Sequence, residues 1–376
     1  MKIYYWCPYL TNIATIKSVL RSAKSISQNN KTNNINKVAI LNSSGEWDFQ
    51  KQNSSRVKII NLYPFSFHKF LPKEGFIQSR ISFLIILFTN FFPLIFKIKK
   101  EKPKYLIVHL LTILPILLSP ILSKNTKIIL RISGLPRMTI LRTLIWRLFS
   151  KYIYKVTSPT QKTLEMLKKL KIFDRNKIFL LRDPAIDKNE ILKNKNIKLP
   201  KKFKRKKFIL SIGRLTNQKN FEFLINMFAK YKKIIGADYL LIIGEGEEKT
   251  KLQKIINSLN CGNSTFLLGY QKNVYNYINN CHALISTAEY EDPGFSLIEA
   301  AFLKKKIITS LVDNGPRDMK KNGNLCYFFN FNNENSFLKA IKSSKNKDLT
   351  KIEKAQKYAE KFSILSHNLN LQKILD

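Results

Sequence analysis

At 376 residues with 44% hydrophobic side chains, the chain is long for one domain and has enough apolar content to fill two cores. Its four cysteines, Cys7, Cys261, Cys281 and Cys326, include no CxxC spacing, which excludes a disulfide framework or a zinc knot and leaves small buried hydrophobes in a reducing compartment. The formal net charge of +41 suits a polyanionic partner, whether anionic lipid headgroups, phosphorylated substrates or nucleic acid, although a lysine-, asparagine- and isoleucine-rich coding bias yields the same excess.

The first half reads as alternating strands and helices. Residues 2–7 form a strand stopped by Pro8, and residues 13–26 carry Ile16, Val19, Leu20 and Ala23 at helical spacing. The loop between them has no glycine, so Asn12 is its candidate for a polar contact. No basic region followed by a long apolar one opens the chain, so no signal peptide is expected. Strands are expected at 37–41 and 57–61. After the first of these, Glu46 and Trp47 suit an acceptor held by stacking and hydrogen bonding, or a tryptophan packed over a loop.

The run 81–96, ISFLIILFTNFFPLIF, is shorter than the roughly 20 apolar residues that a spanning helix needs. It is closed by Lys97, Lys99 and Lys100. A second apolar run, 106–122, holds His109, Pro115 and Pro120. Both fit helices that lie on a membrane surface, and both also fit buried helices of an α/β domain. A strand at 105–108 puts His109 at a carboxyl edge of the sheet. Another at 127–132 leads to a turn with Gly134 and Arg137, and 141–149 is a helix with Trp146, Arg142 and Arg147. A strand at 154–157, a helix from Ser158 to about residue 170 and a strand at 177–181 complete a domain over 1–184.

Residues 185–207 then turn strongly basic and read as an exposed interdomain connector. The alternation restarts with strands at 208–212, 239–243, 265–268, 283–285 and 306–309 and helices at 220–231, 247–259, 274–280 and 296–303. These units make a second domain over 208–345. A last segment, 346–376, with a helix near 350–362, is expected to return toward the first domain. Repeated β–α units of this kind specify an α/β fold of two doubly wound, Rossmann-like domains facing across a cleft.

Chemistry concentrates between residues 283 and 309. A buried strand ends, the chain breaks at Asp292-Pro293-Gly294, and a helix starts at Ser296. Glu291 in the loop and Glu299 in the first turns therefore share a strand end, where ligands of open α/β sheets sit. The amides near Gly294, Phe295 and Ser296 suit an anion. The spacing Ser296-x-x-Glu299 equally fits a capping box with no chemistry. Compact Asp-x-Asp or His clusters are missing, so no metal is expected.

Glu291 and Glu299, followed by Ala300-Ala301, resemble the acidic signature of the family 4 (group 1) retaining glycosyltransferases. Gly213-Arg214-Leu215 with Lys219-Asn220, Gly244-Glu245-Gly246, Leu268-Gly269-Tyr270 and Asn314-Gly315-Pro316 are similar to that family's other landmarks, in the same order. The resemblance implies a GT-B fold and an enzyme that uses a nucleotide sugar, UDP- or GDP-linked, as co-substrate and needs no other cofactor. It implies Arg214 and Lys219 on the leaving diphosphate, Glu291 on the transferred sugar, Glu299 on the ribose, and His109 near the donor sugar. Gly269, Tyr270, Val274 and Gly213 would border the base and phosphates, with Gly294, Phe295 and Ser296 as backbone donors.

Asn12, Glu46, Trp47, Gly134 and Arg137 are the acceptor-side candidates. Expected partners are the donor, a glycan or lipid-linked acceptor of a surface polysaccharide, lipopolysaccharide or capsule, and an anionic membrane. That places the protein in a bacterial cytoplasm, peripheral on the inner face of the membrane. A non-catalytic membrane- or polyanion-binding protein on the same scaffold is the alternative. A nucleic-acid role lacks interleaved basic and aromatic residues.

Overall fold

Strands with no polar face can only be covered from both sides, and the apolar runs of this chain are arranged accordingly. A computed structural model describes residues 1–11, 14–28, 37–49, 57–72, 76–346 and 348–376. It divides into two compact units, one of Met1–Pro184 with Ile364–Asp376 and one of Ala185–Ser363. Each is built on a sheet whose described strand pairs are all parallel.

The first unit contains β1 (Lys2–Trp6), α1 (Ala14–Gln28), β2 (Lys37–Asn42), β3 (Lys58–Asn61), α2 (Phe76–Thr89), α3 (Phe91–Glu101), β4 (Tyr105–Val108), α4 (Ile113–Leu122), β5 (Lys127–Arg131), α5 (Ile140–Phe149), β6 (Lys155–Ser158), α6 (Gln161–Lys169) and β7 (Ile178–Leu180). Strand order is β3-β2-β1-β4-β5-β6-β7. Residues alternate across β1: Ile3 and Tyr5 pack with Val19 and Ala23 of α1, whereas Tyr4 and Trp6 pack with Leu94, Leu114 and Trp146 of the opposite helical layer.

The apolar run 81–96 becomes two helices, α2 and α3, that bend by 48°. Pro93 explains the break, since it lacks an N–H and its ring crowds the carbonyl four residues back. That carbonyl, of Thr89, accepts the Tyr63 hydroxyl instead. Among the described residues no single helix is long and apolar enough to cross a membrane. The run is neither wholly buried nor wholly exposed. Ile86, Leu94 and Ile98 face the core, while Leu84, Phe88, Phe92 and Phe96 face outward.

The second unit contains α7 (Lys188–Asn194), β8 (Phe208–Ile212), α8 (Phe221–Ile235), β9 (Tyr239–Ile243), α9 (Lys249–Ser258), β10 (Thr265–Leu267), α10 (Tyr275–Asn280), β11 (Ala283–Ser286), α11 (Phe295–Phe302), β12 (Lys306–Ser310), α12 (Gly315–Lys321), β13 (Tyr327–Phe329), α13 (Glu334–Ser343) and α14 (Leu349–Glu360). Its strand order is β10-β9-β8-β11-β12-β13.

Two boundaries differ from the sequence-based expectation. Residues 185–207 are part of the second unit rather than an exposed connector. Ile191 of α7 is fully buried, and Phe203 packs against Tyr239 and Phe266. The lysines hide this because their stems cover apolar surface while their heads stay in water. Lys202 Nζ, for example, lies 3.8 Å from the centre of the Phe266 ring. The segment 346–376 is also divided: α14 packs on α11 within the second unit, whereas α15 (Ile364–Leu375) belongs to the first.

Helix α15 is fixed by a buried relay of hydrogen bonds. His367 Nδ1 donates to the Arg182 carbonyl at 2.6 Å, so Nε2 accepts the Ser22 hydroxyl at 2.8 Å, and Ser22 accepts from Tyr5 at 2.9 Å. Beside it, Arg131 Nη2 meets Asp183 Oδ1 at 2.6 Å with both side chains buried, and Ser18 donates to the same oxygen at 2.9 Å. Burial opposes the Asp183 charge, but Arg131 outweighs it and holds the carboxyl below its usual range.

Arg131→Ala strands Asp183 as a buried, unpaired charge and is expected to cost about 3–5 kcal/mol in urea unfolding; a loss below 1 kcal/mol, on the scale of an exposed pair, would refute this account. Burial lowers His367 to about 4 and His109 to about 3. Between those values and about 6.5 the unfolded chain binds more protons than the folded one, so stability should fall as pH drops through that window. The slope should approach about 1.4 kcal/mol per pH unit per histidine. Chemical unfolding followed from pH 7 to pH 4.5 measures it, and His367→Gln should flatten the curve.

Candidate functional site

In the second unit β9 and β10 lie to one side of β8, and β11, β12 and β13 to the other. The loops after β8 and β11 consequently diverge, which makes their carboxyl ends the switch point of the sheet. The loop after β8 contributes Gly213, Arg214 and a 3₁₀ turn, Asn217–Lys219. The loop after β11 contributes residues 287–294 and leads into α11.

Side-chain to backbone bonds tie these loops together. Thr287 Oγ1 donates to the carbonyls of Lys219 and Asn220 at 3.1 and 2.9 Å. Gln218 Nε2 donates to the Tyr290 carbonyl at 2.9 Å, and the Glu289 amide donates to the Gln218 carbonyl at 2.9 Å. The result is a contact of 2.6 Å between Lys219 Nζ and Glu291 Oε1, with both side chains largely buried. An ammonium has three N–H groups and this contact takes one, so a cation remains available to an anion placed beside it.

Glu291 is fixed from several sides. Its carbonyl accepts the Gly315 amide at 3.0 Å, and Ser286 Oγ lies 3.4 Å from Oε1. Oε2 lies 3.4 Å from where a Cβ on Gly294 would stand, so the carboxylate sits at the start of α11. A negative charge is favoured there by the helix dipole. Gly294 itself caps α11 with φ +86° and no side-chain bond. Ser296 is therefore inside the helix, not at its cap, and the capping box allowed by the sequence does not form. The N-cap residue is a glycine and offers no side chain to the first amides of α11, those of Phe295 and Ser296. Glu299, one turn further on, is buried and accepts from the Tyr275 hydroxyl at 3.4 Å.

Two glycines allow the loops to approach this closely. A Cβ on Gly244 (φ +147°) would stand 1.8 Å from the Gly213 carbonyl oxygen, and one on Gly315 would stand 1.9 Å from that of Pro293. Arg214 is exposed at the rim. Gly269 accepts the Gly244 amide at 3.0 Å, Tyr270 is exposed, and Val274 caps α10 and packs partly on the core. The second-unit candidates are thus gathered on loops at one end of one sheet.

The first-unit candidates are more scattered. His109 follows β4 at the β1/β4 switch point, and its amide donates to the Trp6 carbonyl at 2.9 Å. Burial and the nearby Arg131 charge lower it to about 3, so the imidazole is neutral at physiological pH. Trp47 and Glu46 are corrected from acceptor contacts to internal ones. Trp47 is fully buried, donates to the Cys7 carbonyl at 3.1 Å and meets the Tyr9 ring edge-on. The Glu46 carboxylate is buried and consumed by the amides and hydroxyls of Ser43 and Ser44 at 2.7–3.1 Å. Gly134 takes φ +73°, Arg137 is exposed, and Asn12 lies outside the described residues.

Three contributors were missed in the sequence: Tyr275 on Glu299, Ser286 on Glu291, and Thr287, which sets the backbone of Lys219. They act across 5 to 68 residues, and only their position just before or after a strand or helix end hinted at them.

The family model described as glycosyl transferases group 1 matches residues 192–362, a span that includes the whole second-unit site. The chain is 31% identical over 239 residues, 59% of its length, to an uncharacterized glycosyltransferase of Methanocaldococcus jannaschii. It is 33% identical over 153 residues, 40% of its length, to the N-acetylgalactosamine-N,N'-diacetylbacillosaminyl-diphospho-undecaprenol 4-alpha-N-acetylgalactosaminyltransferase of Campylobacter jejuni. These matches span 59% and 40% of the two relatives' own lengths. The solved structure of Anabaena HepE in complex with UDP and glucose aligns with a TM-score of 0.72 at 13% identity, covering 100% of this chain and 99% of that one. The shared fold is GT-B.

Gly244→Ala adds a methyl group in a left-handed backbone position against a carbonyl, and should lower stability by about 1–3 kcal/mol. Urea unfolding of the variant measures this, and an unchanged midpoint would mean that the loops are not packed as described.

Proposed function

We propose that the protein is a retaining glycosyltransferase that moves a sugar from a nucleotide-sugar donor to a lipid-linked or surface-polysaccharide acceptor at the inner face of a bacterial membrane. The observation that carries this reading is the Lys219–Glu291 pair at 2.6 Å, placed at the β8/β11 switch point beside the glycine-capped start of α11. A nucleotide sugar brings a diphosphate next to a hydroxyl-rich ring. The site offers a cation and the amides of a helix start for the first, and a fixed carboxylate for the second.

In this reading the second unit holds the donor. Arg214 and Lys219 face the diphosphate and stabilise the charge that develops as it leaves. The amides of Gly294, Phe295 and Ser296 add donors at a helix start. Glu291 accepts hydroxyls of the transferred sugar. Glu299, steadied by Tyr275, accepts those of the ribose. Gly213, Gly269, Tyr270 and Val274 border the base and phosphates. HepE, a neighbour in fold solved with UDP and glucose, supports a nucleotide-sugar donor, UDP- or GDP-linked.

The first unit takes the acceptor, with Gly134 and Arg137 on the loop after β5, while His109, at its sheet switch point, is the residue that the resemblance puts near the donor sugar. As a neutral imidazole, His109 serves as a hydrogen-bonding group rather than a cation. The Campylobacter relative, whose name specifies a diphospho-undecaprenol acceptor, supports a lipid-linked substrate.

Binding and slow hydrolysis of UDP-, GDP-, ADP- and CMP-sugars test the assignment. Wild type should bind one nucleotide class, and Glu299→Ala should lose that binding while keeping its unfolding midpoint. Arg214→Ala should cut turnover more than about tenfold with the fold intact. Near-normal turnover in that variant would remove Arg214 from the phosphate site, and failure to bind any of the four classes would overturn the enzyme reading.

A further inference from the structure

An apolar face in water needs a partner, and the first unit has one that the protein itself leaves uncovered. From α2 into α3, Leu84, Phe88, Phe92 and Phe96 follow one another at helical spacing and are each more than half exposed. Helix α5 repeats the pattern with Ile140, Leu141, Leu144 and Leu148, also more than half exposed, while Trp146 on its other side is buried and Ile145 and Phe149 pack on the core. In sequence, α5 therefore carries apolar residues on both its inner and its outer side, with protein on one side only.

These helices form one layer. α3 packs on α4 and α4 packs on α5. Ile121, on the intervening α4, is also exposed, so the outward side chains of α3 and α5 belong to the same side of the unit. Contiguous apolar surface of this kind marks an interaction site rather than the ordinary scatter of exposed hydrophobics.

Charge selects the partner. Between Gly75 and Leu164 the chain has a single acidic residue, Glu101, which pairs with Lys2. Lys97, Lys99 and Lys100 close α3, while Arg147 and Lys151 lie in and just after the last turn of α5. A second copy docking through this face would set like charge against like, which disfavours it. Nucleic acid would match the charge but leave the aliphatic side chains in water. An anionic lipid surface matches both, with apolar side chains reaching the acyl boundary and lysines and arginines at headgroup level.

We propose that the outer face of α2, α3 and α5 is a docking surface by which the protein lies on an anionic bilayer without spanning it. This face deepens the reading of a membrane-carried acceptor given above. Vesicle binding measured without any donor separates the failure of one from the failure of the other.

Flotation with phosphatidylglycerol–phosphatidylethanolamine vesicles, against phosphatidylcholine vesicles, tests the docking. Wild type should bind the anionic vesicles at least about tenfold more tightly, and Leu144→Ser with Leu148→Ser should lose most of that difference. Phe88→Ser with Phe92→Ser should act in the same direction from the other helix. Arg147→Glu with Lys151→Glu should weaken binding to anionic vesicles alone. These side chains face outward, so each variant should keep the wild-type unfolding midpoint and nucleotide-sugar binding. Wild type that stays unbound would overturn the proposal. So would apolar variants that bind as wild type does, because attraction would then come from the charge of the whole chain. Loss of self-association in sedimentation with vesicle binding unchanged would assign the face to a second copy and equally overturn it.

Discussion

The contact between Lys219 and Glu291 depends on two backbones approaching more closely than side chains permit. Gly244 lets the loop after β9 lie against the Gly213 carbonyl, and Gly315 lets α12 begin against the Pro293 carbonyl. Once the loops are this close, ordinary hydrogen bonds from Thr287 and Gln218 suffice to fix the cation and the carboxylate in one place. The pair also balances charge. An ammonium largely removed from water needs a counter-ion, and a carboxylate at a helix start gains from the dipole there. The site is thus a polar arrangement supported by backbone packing, and parallel strands buried on both faces supply the rigid frame.

Much of the second unit was legible because its signals are local. Glycine, proline, lysine and acidic residues mark the ends of apolar runs at Gly213, Gly244, Gly269 and Asp292-Pro293-Gly294, and a strand end is where an α/β protein does its chemistry. The partners of those residues were not legible. Tyr275 reaches Glu299 across 24 residues, and nothing in either local sequence specifies the other.

In the first unit the same kind of local signal misled. An acidic residue beside a tryptophan after β2 looks like a sugar contact, yet Trp47 is internal and Glu46 closes its own turn through Ser43 and Ser44. Short sequence cannot say whether an aromatic faces in or out, because that depends on what later elements cover. Lysine density misled at 185–207 for a related reason: buried anchors, Ile191 and Phe203 among them, hold that segment, and composition averages them away. The apolar run 81–96 left two readings open because one side of its helices is buried in the core and the other is exposed.

The return of α15 to the first unit bears on how the protein is made. The core on one side of the first sheet, where Ile3 and Val19 lie, also takes Leu371 and Ile374, and the hydrogen-bond relay through Tyr5 and Ser22 is incomplete until His367 exists. Ala185–Ser363 is uninterrupted and contains every residue of its own sheet. During synthesis the later-encoded unit can therefore complete its core first, while the earlier-encoded one waits with a wall missing. The first unit's core, α15 included, therefore closes only after the whole of the second unit has been translated.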